Sequence, residues 1–317
     1  MTTIDNIKKE INKANNIVIL THENPDGDAV GSALAMYLTL KKMNKEVDVV
    51  IPEFPRTFEF LPSADKVKKE GSKKPYDLAI SVDVTGIKRL DGFSSYFENA
   101  KTKIQIDHHE VNDMFADYNF VNPTSPACAQ ILILVIEHLG VEIDKNIGTC
   151  LLTGIITDTG GFKYEGVSAE TFEFASGLLA KGVNVSNIYK KALQMKTRAN
   201  FELRKIIMNR MEFLCDDKIT FTYITKKDME DVNALSDDHE GLVEVGRDID
   251  GVEVSIFLRE IEDGFKVSLR SNNYVNVSDV ALLFNGGGHM RASGCSIHGT
   301  LEQAKEKIVK EVSKYIK

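Results

Sequence analysis

The chain has little of what would place it outside a reducing, aqueous setting. Its four cysteines, Cys128, Cys150, Cys215 and Cys295, are widely spaced among 317 residues and form no C-x-x-C pair. That spacing excludes a structural zinc site and, at this length, a disulfide framework. All four read as reduced residues in or near a core. No apolar run reaches the roughly 18 residues of a membrane span, and ILILVI at 131–136 falls far short. The opening MTTIDNIKKE is polar, with no apolar leader segment. The expectation is a cytoplasmic protein with no membrane partner. Positive charge is scarce too, since the formal net charge is −8. A protein that grips long duplex nucleic acid needs a basic surface, so that partner is excluded. A small anionic substrate is not. No internal repeat, low-complexity tract or complete calcium-loop spacing appears.

What is present is ordinary globular material, 43% hydrophobic and 27% charged, long enough for two domains. The first half alternates elements. A helix is expected at 3–15, a strand at 16–21 (NIVILT) and a helix at about 28–43. Strands follow at 46–51, 77–83 and 102–107, then helices at about 126–139 and 144–157. Near-continuous apolar strands between helices predict a mostly parallel sheet covered on both faces. Helices are expected at 168–181, 184–194 and 197–213. Beyond them 218–225, 252–260 and 265–271 alternate apolar and polar residues, the period of half-exposed strands. Thr300 and Gln303 have capping-box spacing for a last helix. The fold class is therefore α/β: an N-terminal, mostly parallel sheet flanked by helices (1–190), a helical connector (191–213) and a smaller α+β domain (214–317).

In such sheets ligands bind beyond the carboxyl ends of the strands. His22, Asp26 and Asp28 follow the first strand, Asp83 ends the third, and Asp107, His108 and His109 end the fourth. Asp158 closes a helix, where a carboxylate opposes the dipole. Each group has a plain reading. Asp26-Gly27-Asp28 alone is a turn, Asp83 alone a helix cap, and a His pair alone structural or surface. Together they are carboxylates and imidazoles sent from four segments toward one place. Buried carboxylates so crowded repel unless cations hold them. Mixed oxygen and imidazole ligation suits manganese, with magnesium or cobalt as substitutes.

THENPDGDAVGS (21–32), SVD (81–83), DHH (107–109) and TGIITDTGGF (153–162) resemble the four motifs of the DHH phosphoesterase superfamily. FNGGGHMRASGC (284–295) resembles the GGGH motif of the DHHA1 domain. The chain's length and plain two-domain build are similar to the nano-RNase branch, bifunctional oligoribonucleases that also dephosphorylate 3'-phosphoadenosine 5'-phosphate. The resemblance implies two divalent ions. His22 and Asp26 would hold one, Asp28, His108 and Asp158 the other, and Asp83 would bridge them. Asp107 would orient an imidazole, and His109 would face the substrate phosphate. The implied substrates are RNA of two to five nucleotides, linear dinucleotides and the bisphosphate.

The second domain has its own argument. Gly286, Gly287 and Gly288 let backbone N–H groups approach an anion. His289 and Arg291 follow, and Arg270 and Ser271 end a strand in LRS. An Arg fork matches a phosphate oxygen pair. The alternative is a strained glycine turn beside a surface cation. With the resemblance, Arg270, Ser271, Gly287, Gly288, His289 and Arg291 are expected to bind the nucleotide, on a face closing over the metal cleft. Arg247 and Arg259 read as solvated or salt-bridged, and the Lys-rich stretch 66–74 as a solvated loop or edge strand. Two rivals stay open: a cyclic-dinucleotide phosphodiesterase of the same build, and a sensor that binds a nucleotide without cleaving it. A RecJ-type exonuclease would need more chain and a more basic surface, and GGGH argues against a family II pyrophosphatase. A homodimer is allowed for.

Overall fold

β-branched and aliphatic runs too short for helices begin the architecture. The computed structural model describes residues 3–72, 74–164 and 166–317. The chain divides into two units, one ending at Met195 and the other starting at Lys196.

The first unit contains α1 (Ile4–Lys13), β1 (Asn16–Leu20), α2 (Gly27–Lys42), β2 (Glu46–Val50), β3 (Leu78–Val82), α3 (Ser94–Glu98), β4 (Thr102–Asp107), β5 (Tyr118–Val121), α4 (Cys128–Leu139), α5 (Lys145–Asp158), α6 (Ala169–Ala180) and α7 (Val185–Ile188). Its sheet runs β2-β1-β3-β4-β5, with every pair parallel. β1 shows why these strands are apolar throughout. Ile17 and Ile19 pack into the core that holds Leu34 of α2 and Leu151 of α5, while Val18 and Leu20 pack on the opposite side with Tyr76 and Phe97. Both faces are covered, so both sets of alternate side chains are buried. Helices α2 and α5 approach closely because glycine faces the contact. A Cβ on Gly31 would lie 2.5 Å from the Cys150 carbonyl oxygen, and one on Gly154 would lie 2.5 Å from Asp28 Oδ1.

The second unit contains α8 (Arg198–Asn209), β6 (Glu212–Leu214), β7 (Ile219–Ile224), α9 (Lys226–Asp231), α10 (Val243–Arg247), β8 (Val254–Ile261), β9 (Gly264–Ser271), α11 (Val277–Leu282), β10 (Gly287–His289), β11 (Ala292–His298) and α12 (Leu301–Ser313). The sheet order is β10-β11-β9-β8-β7-β6; β7 and β8 pair in parallel and the remaining pairs are antiparallel. Along β9 the period-2 reading holds. Phe265, Val267 and Leu269 are buried in one core with α11 and α12, whereas Lys266, Ser268 and Arg270 are more exposed. Thr300 caps α12 in the expected box with Gln303.

Some expectations need correction. The helix read over 197–213 ends at Asn209, and residues 212–214 form β6. Left-handed backbone at Cys215, Asp216 and Asp217 turns the chain back so that β6 can pair with β7, and tertiary pairing overrides local helix propensity there. The helix read over 184–194 is a short α7 followed by a wider, π-type turn over Tyr189–Gln194. Strands β5, β10 and β11 were not anticipated. Cys128, Cys150 and Cys295 are buried, but Cys215 is exposed on that turn. In the Lys-rich stretch, Lys68 makes a single parallel bridge with Val50; Lys73 lies outside the described residues. Among the described residues no helix is long and apolar enough to cross a membrane.

Candidate active site

The parallel sheet delivers four loops to its carboxyl edge. Asp26 is the N-cap of α2, its Oδ1 accepting from the Asp28 and Ala29 N–H groups at 3.0 and 3.1 Å. Asp28, one residue into that helix, is fully buried. Its carboxylate accepts from the Cys128 N–H at 2.6 Å, the Ala129 N–H at 2.9 Å and Ser32 Oγ at 3.3 Å. The start of α4 is thus a docking point for a carboxylate, as the exposed N–H groups of a helix N-terminus favour. Asp83 directly follows β3 with a φ of +60°, a conformation uncommon outside glycine that concentrates at functional sites.

These side chains converge. His22 Nε2 lies 3.7 Å from Asp83 Oδ2. His108 Nε2 lies 3.5 Å from Asp83 Oδ1, 3.3 Å from Asp158 Oδ2 and 4.0 Å from Asp28 Oδ2. Three overlapping groups could each hold a metal ion: His22, Asp26 and Asp83; Asp28, His108 and Asp158; and Asp83, Asp107, His108 and His109. The imidazoles are aimed from behind. The Glu23 carbonyl lies 2.6 Å from His22 Nδ1 and the Ser125 carbonyl 3.2 Å from His108 Nδ1. Carbonyls there make Nδ1 a donor and turn Nε2 inward.

Both oxygens of Asp107 are engaged close by in the chain. Oδ1 accepts from the His108 N–H and from His109 Nδ1, both at 2.8 Å, and Oδ2 accepts from Asn112 Nδ2 at 2.5 Å. Asp83 is the opposite case, since its Oδ1 is buried and has no hydrogen-bond partner among the described residues.

The electrostatics follow from this crowding. Burial, and then the charge of Asp83, push the Asp28 carboxyl up to about 7. Burial and the charge of Asp28 likewise raise Asp158 well above the usual carboxylate range. Burial also acts to raise Asp83, but three neighbouring imidazoles, His108 first, outweigh it and hold it low. Burial by itself would depress His108 and His109. For His108 the adjacent Asp83 outweighs burial and lifts the ring to about 11. For His109 the Asp107 hydrogen bond, with the charges of Asp83 and Asp107, outweighs it and raises the ring.

The second unit arranges its candidates differently. β9 and β11 align Arg270 with Ala292, and β11 and β10 align Ala292 with His289. Arg270 and His289 therefore share one face, two strands apart, with a small residue between them. Arg270 is ion-paired to Glu244 at 3.0 Å. Gly287 and Gly288 lie on the exposed edge strand β10. Ser271 points to the buried side and donates to the Val275 carbonyl at 2.7 Å. Arg291 donates to the carbonyls of Asn273 and Val275. Arg247 is paired with Asp248 at 2.8 Å. Sequence reasoning missed Asn112, Gln105, Ser125 and the N–H groups of Cys128 and Ala129. The first two look like unremarkable polar residues of a loop and a strand, and the backbone groups carry no signal in residue type.

A parallel sheet with carboxylates and imidazoles at its carboxyl edge, followed by a mixed-sheet unit, is matched by two family models. The N-terminal domain of the DHH family matches residues 16–155 and the DHHA1 domain matches residues 216–317. The chain belongs to the DHH family in its DHH–DHHA1 form, and it is a phosphoesterase, a hydrolase of phosphoric ester bonds. Among its relatives is a protein of Thermus thermophilus named bifunctional oligoribonuclease and PAP phosphatase NrnA. The two are 35% identical over 93% of this chain and 89% of the relative. A Bacillus subtilis protein of the same name is 26% identical over 89% of each chain. The crystal structure of an exopolyphosphatase-related protein from Bacteroides fragilis superposes with a TM-score of 0.90. It is 30% identical, covering 98% of this chain and 96% of that one.

Proposed function

We propose that the protein is a two-metal phosphoesterase that hydrolyses short oligonucleotides, two to five nucleotides of RNA and linear dinucleotides, to 5'-mononucleotides, and that removes the 3'-phosphate of 3'-phosphoadenosine 5'-phosphate. The observation that carries the reading is the buried Asp83 oxygen left, among the described residues, without a hydrogen-bond partner amid three imidazoles and four other carboxylates. A buried polar atom without a partner is costly, and a cation is the partner that this donor set suits. The ligand atoms are carboxylate oxygens and imidazole nitrogens, which fit Mn2+, Mg2+ or Co2+. His22 and Asp26 would hold one ion, Asp28, His108 and Asp158 the other, with Asp83 shared. Asp107 is left out of this set because it supports His109, accepting from its Nδ1. Bound divalent ions supply a nucleophile from water at neutral pH and offset charge on the phosphoryl oxygens.

The protein's own groups do the rest. Asp107 holds His109 by Nδ1, which leaves Nε2 to donate a proton to the phosphate or to the leaving oxygen. In the second unit, the face shared by Arg270 and His289 and the edge strand at Gly287 and Gly288 are the nucleotide contacts. Arg291 and Ser271 would act by holding the loop 273–276 beside that face. The substrate class rests on the names of the Thermus and Bacillus relatives. The test is a side-by-side assay of purified protein with manganese on RNA of two to five nucleotides, linear pApA, 3'-phosphoadenosine 5'-phosphate and cyclic di-AMP. Turnover of the first three is expected. Turnover of cyclic di-AMP alone would replace this reading with the cyclic phosphodiesterase, and binding without turnover would replace it with a sensor.

A further inference from the structure

Behind His109 lies a chain of hydrogen bonds whose polarity is set at its far end. The Met114 N–H, which can only donate, points at Asn112 Oδ1 at 2.8 Å. That contact fixes which end of the Asn112 amide is oxygen, so Nδ2 must face Asp107, and it lies 2.5 Å from Oδ2. Asn112 Oδ1 also accepts from Gln105 Nε2 at 3.0 Å. Gln105 is fully buried, in the middle of β4. Its Nε2 donates at 2.6 Å to the carbonyl of Val84, the residue after Asp83. A flipped Gln105 amide would set its oxygen against that carbonyl and against Asn112 Oδ1. Both amides are therefore determined in orientation. The two Gln105 Nε2 bonds join two of the site's loops, while its Oε1 is buried with no hydrogen-bond partner among the described residues.

We infer that Asn112, backed by Gln105, is a positioning residue for the reaction: it holds the Asp107 carboxylate in place as the acceptor for His109 Nδ1, and so holds the His109 ring with Nε2 turned to the substrate. The carboxylate has three donors to accept, the His108 N–H, Asn112 Nδ2 and His109 Nδ1. Without the Asn112 donor, Asp107 is free to turn away from His109, and the ring loses its fixed orientation. This inference rests on the reading that His109 faces substrate, but its first test does not need a substrate.

The experiment is NMR of isotope-labelled histidine in the wild-type protein, in Asn112→Asp and in Asn112→Leu, with kinetics on a dinucleotide beside it. Asn112→Leu keeps the side chain's bulk and loses the donor, whereas Asn112→Asp keeps its shape and sets a second carboxyl against Asp107. The wild type is expected to show His109 protonated at Nδ1 with a slowly exchanging proton, and Asn112→Leu to lose that signature. In both variants kcat should fall about 10–100-fold, the usual cost of losing such a support, with KM and manganese affinity unchanged. A wild-type His109 carrying its proton on Nε2 alone would overturn the inference, even if neither variant folds. So would a variant that keeps both the Nδ1 signature and full kcat. If the wild type shows the signature but hydrolyses no nucleotide, the functional reading has failed and the positioning role has not.

Discussion

The polar clusters of the two units are built on opposite terms. In the first, carboxylates are buried against one another: among the described residues Asp83 Oδ1 has no hydrogen-bond partner, and Asp28 and Asp158 are driven toward protonation by burial and by their neighbours' charge. In the second, Glu253 is just as buried, yet it accepts from the N–H groups of Asn273, Tyr274 and Val275 and from the Asn273 side chain. Ser271 and Arg291 brace the same loop. A carboxylate satisfied by its own fold and set apart from other acids is part of the frame. Acids crowded together are poised for a charge the chain does not itself supply. Burial alone does not separate the two cases, and the crowding of like charges does.

Four measurements press on that contrast. Asp83→Asn should be the most damaging to turnover, lowering kcat on a dinucleotide on the order of 10³-fold with little loss of folding stability. Full turnover by this variant would end the contrast, because the crowded carboxylate would then have no task. Glu253→Ala should do the reverse. It orphans several buried N–H groups and should cost about 3 kcal/mol in urea denaturation, with activity per folded molecule retained. A normal stability and a raised KM would move Glu253 from frame to site. Manganese at about a hundred times its dissociation constant should stabilise the protein by about 2.7 kcal/mol, and chelation should reverse this. Hydrogen exchange should slow around Asp28, Asp83 and Asp158 and stay unchanged around Glu253; equal slowing at both would blur the distinction. The smallest expected effect is that of Arg291→Lys, which breaks the two-pronged grip on the 273 and 275 carbonyls and should cost about 1 kcal/mol. Thermal melting reads that loss, and a KM rise without it would make Arg291 a substrate contact.

Much of this was legible beforehand, for identifiable reasons. Apolar runs of strand length between helices gave the parallel sheet, and the acids and histidines stood where such strands end, so the cluster could be read from order alone. The second sheet was half legible. β7, β8 and β9 alternate clearly, but β10 is glycine-rich and only three residues long, and its pairing with β11 has no periodic signal. The helix through 197–213 was overrun because nothing in Arg210-Met211-Glu212 stops a helix; the pairing of Glu212 with Phe221 does. Asn112 was invisible as a support for Asp107, since an asparagine in a loop looks the same whether or not its amide is held.

By itself the sequence determined the kinds of ligand atom, their order along the chain and the strand ends that present them, because residue type and hydrophobic period are local properties. Only the tertiary structure decided which carboxylate is finished and which is not. Asp28 meets the N–H groups of α4, a hundred residues away in the chain, and Gly154 leaves room for it to do so. Asp107 meets Asn112, and Asp83 Oδ1 has no hydrogen-bond partner among the described residues. Whether a polar atom is satisfied depends on what lies within about 3 Å of it, and chain folding alone sets that distance.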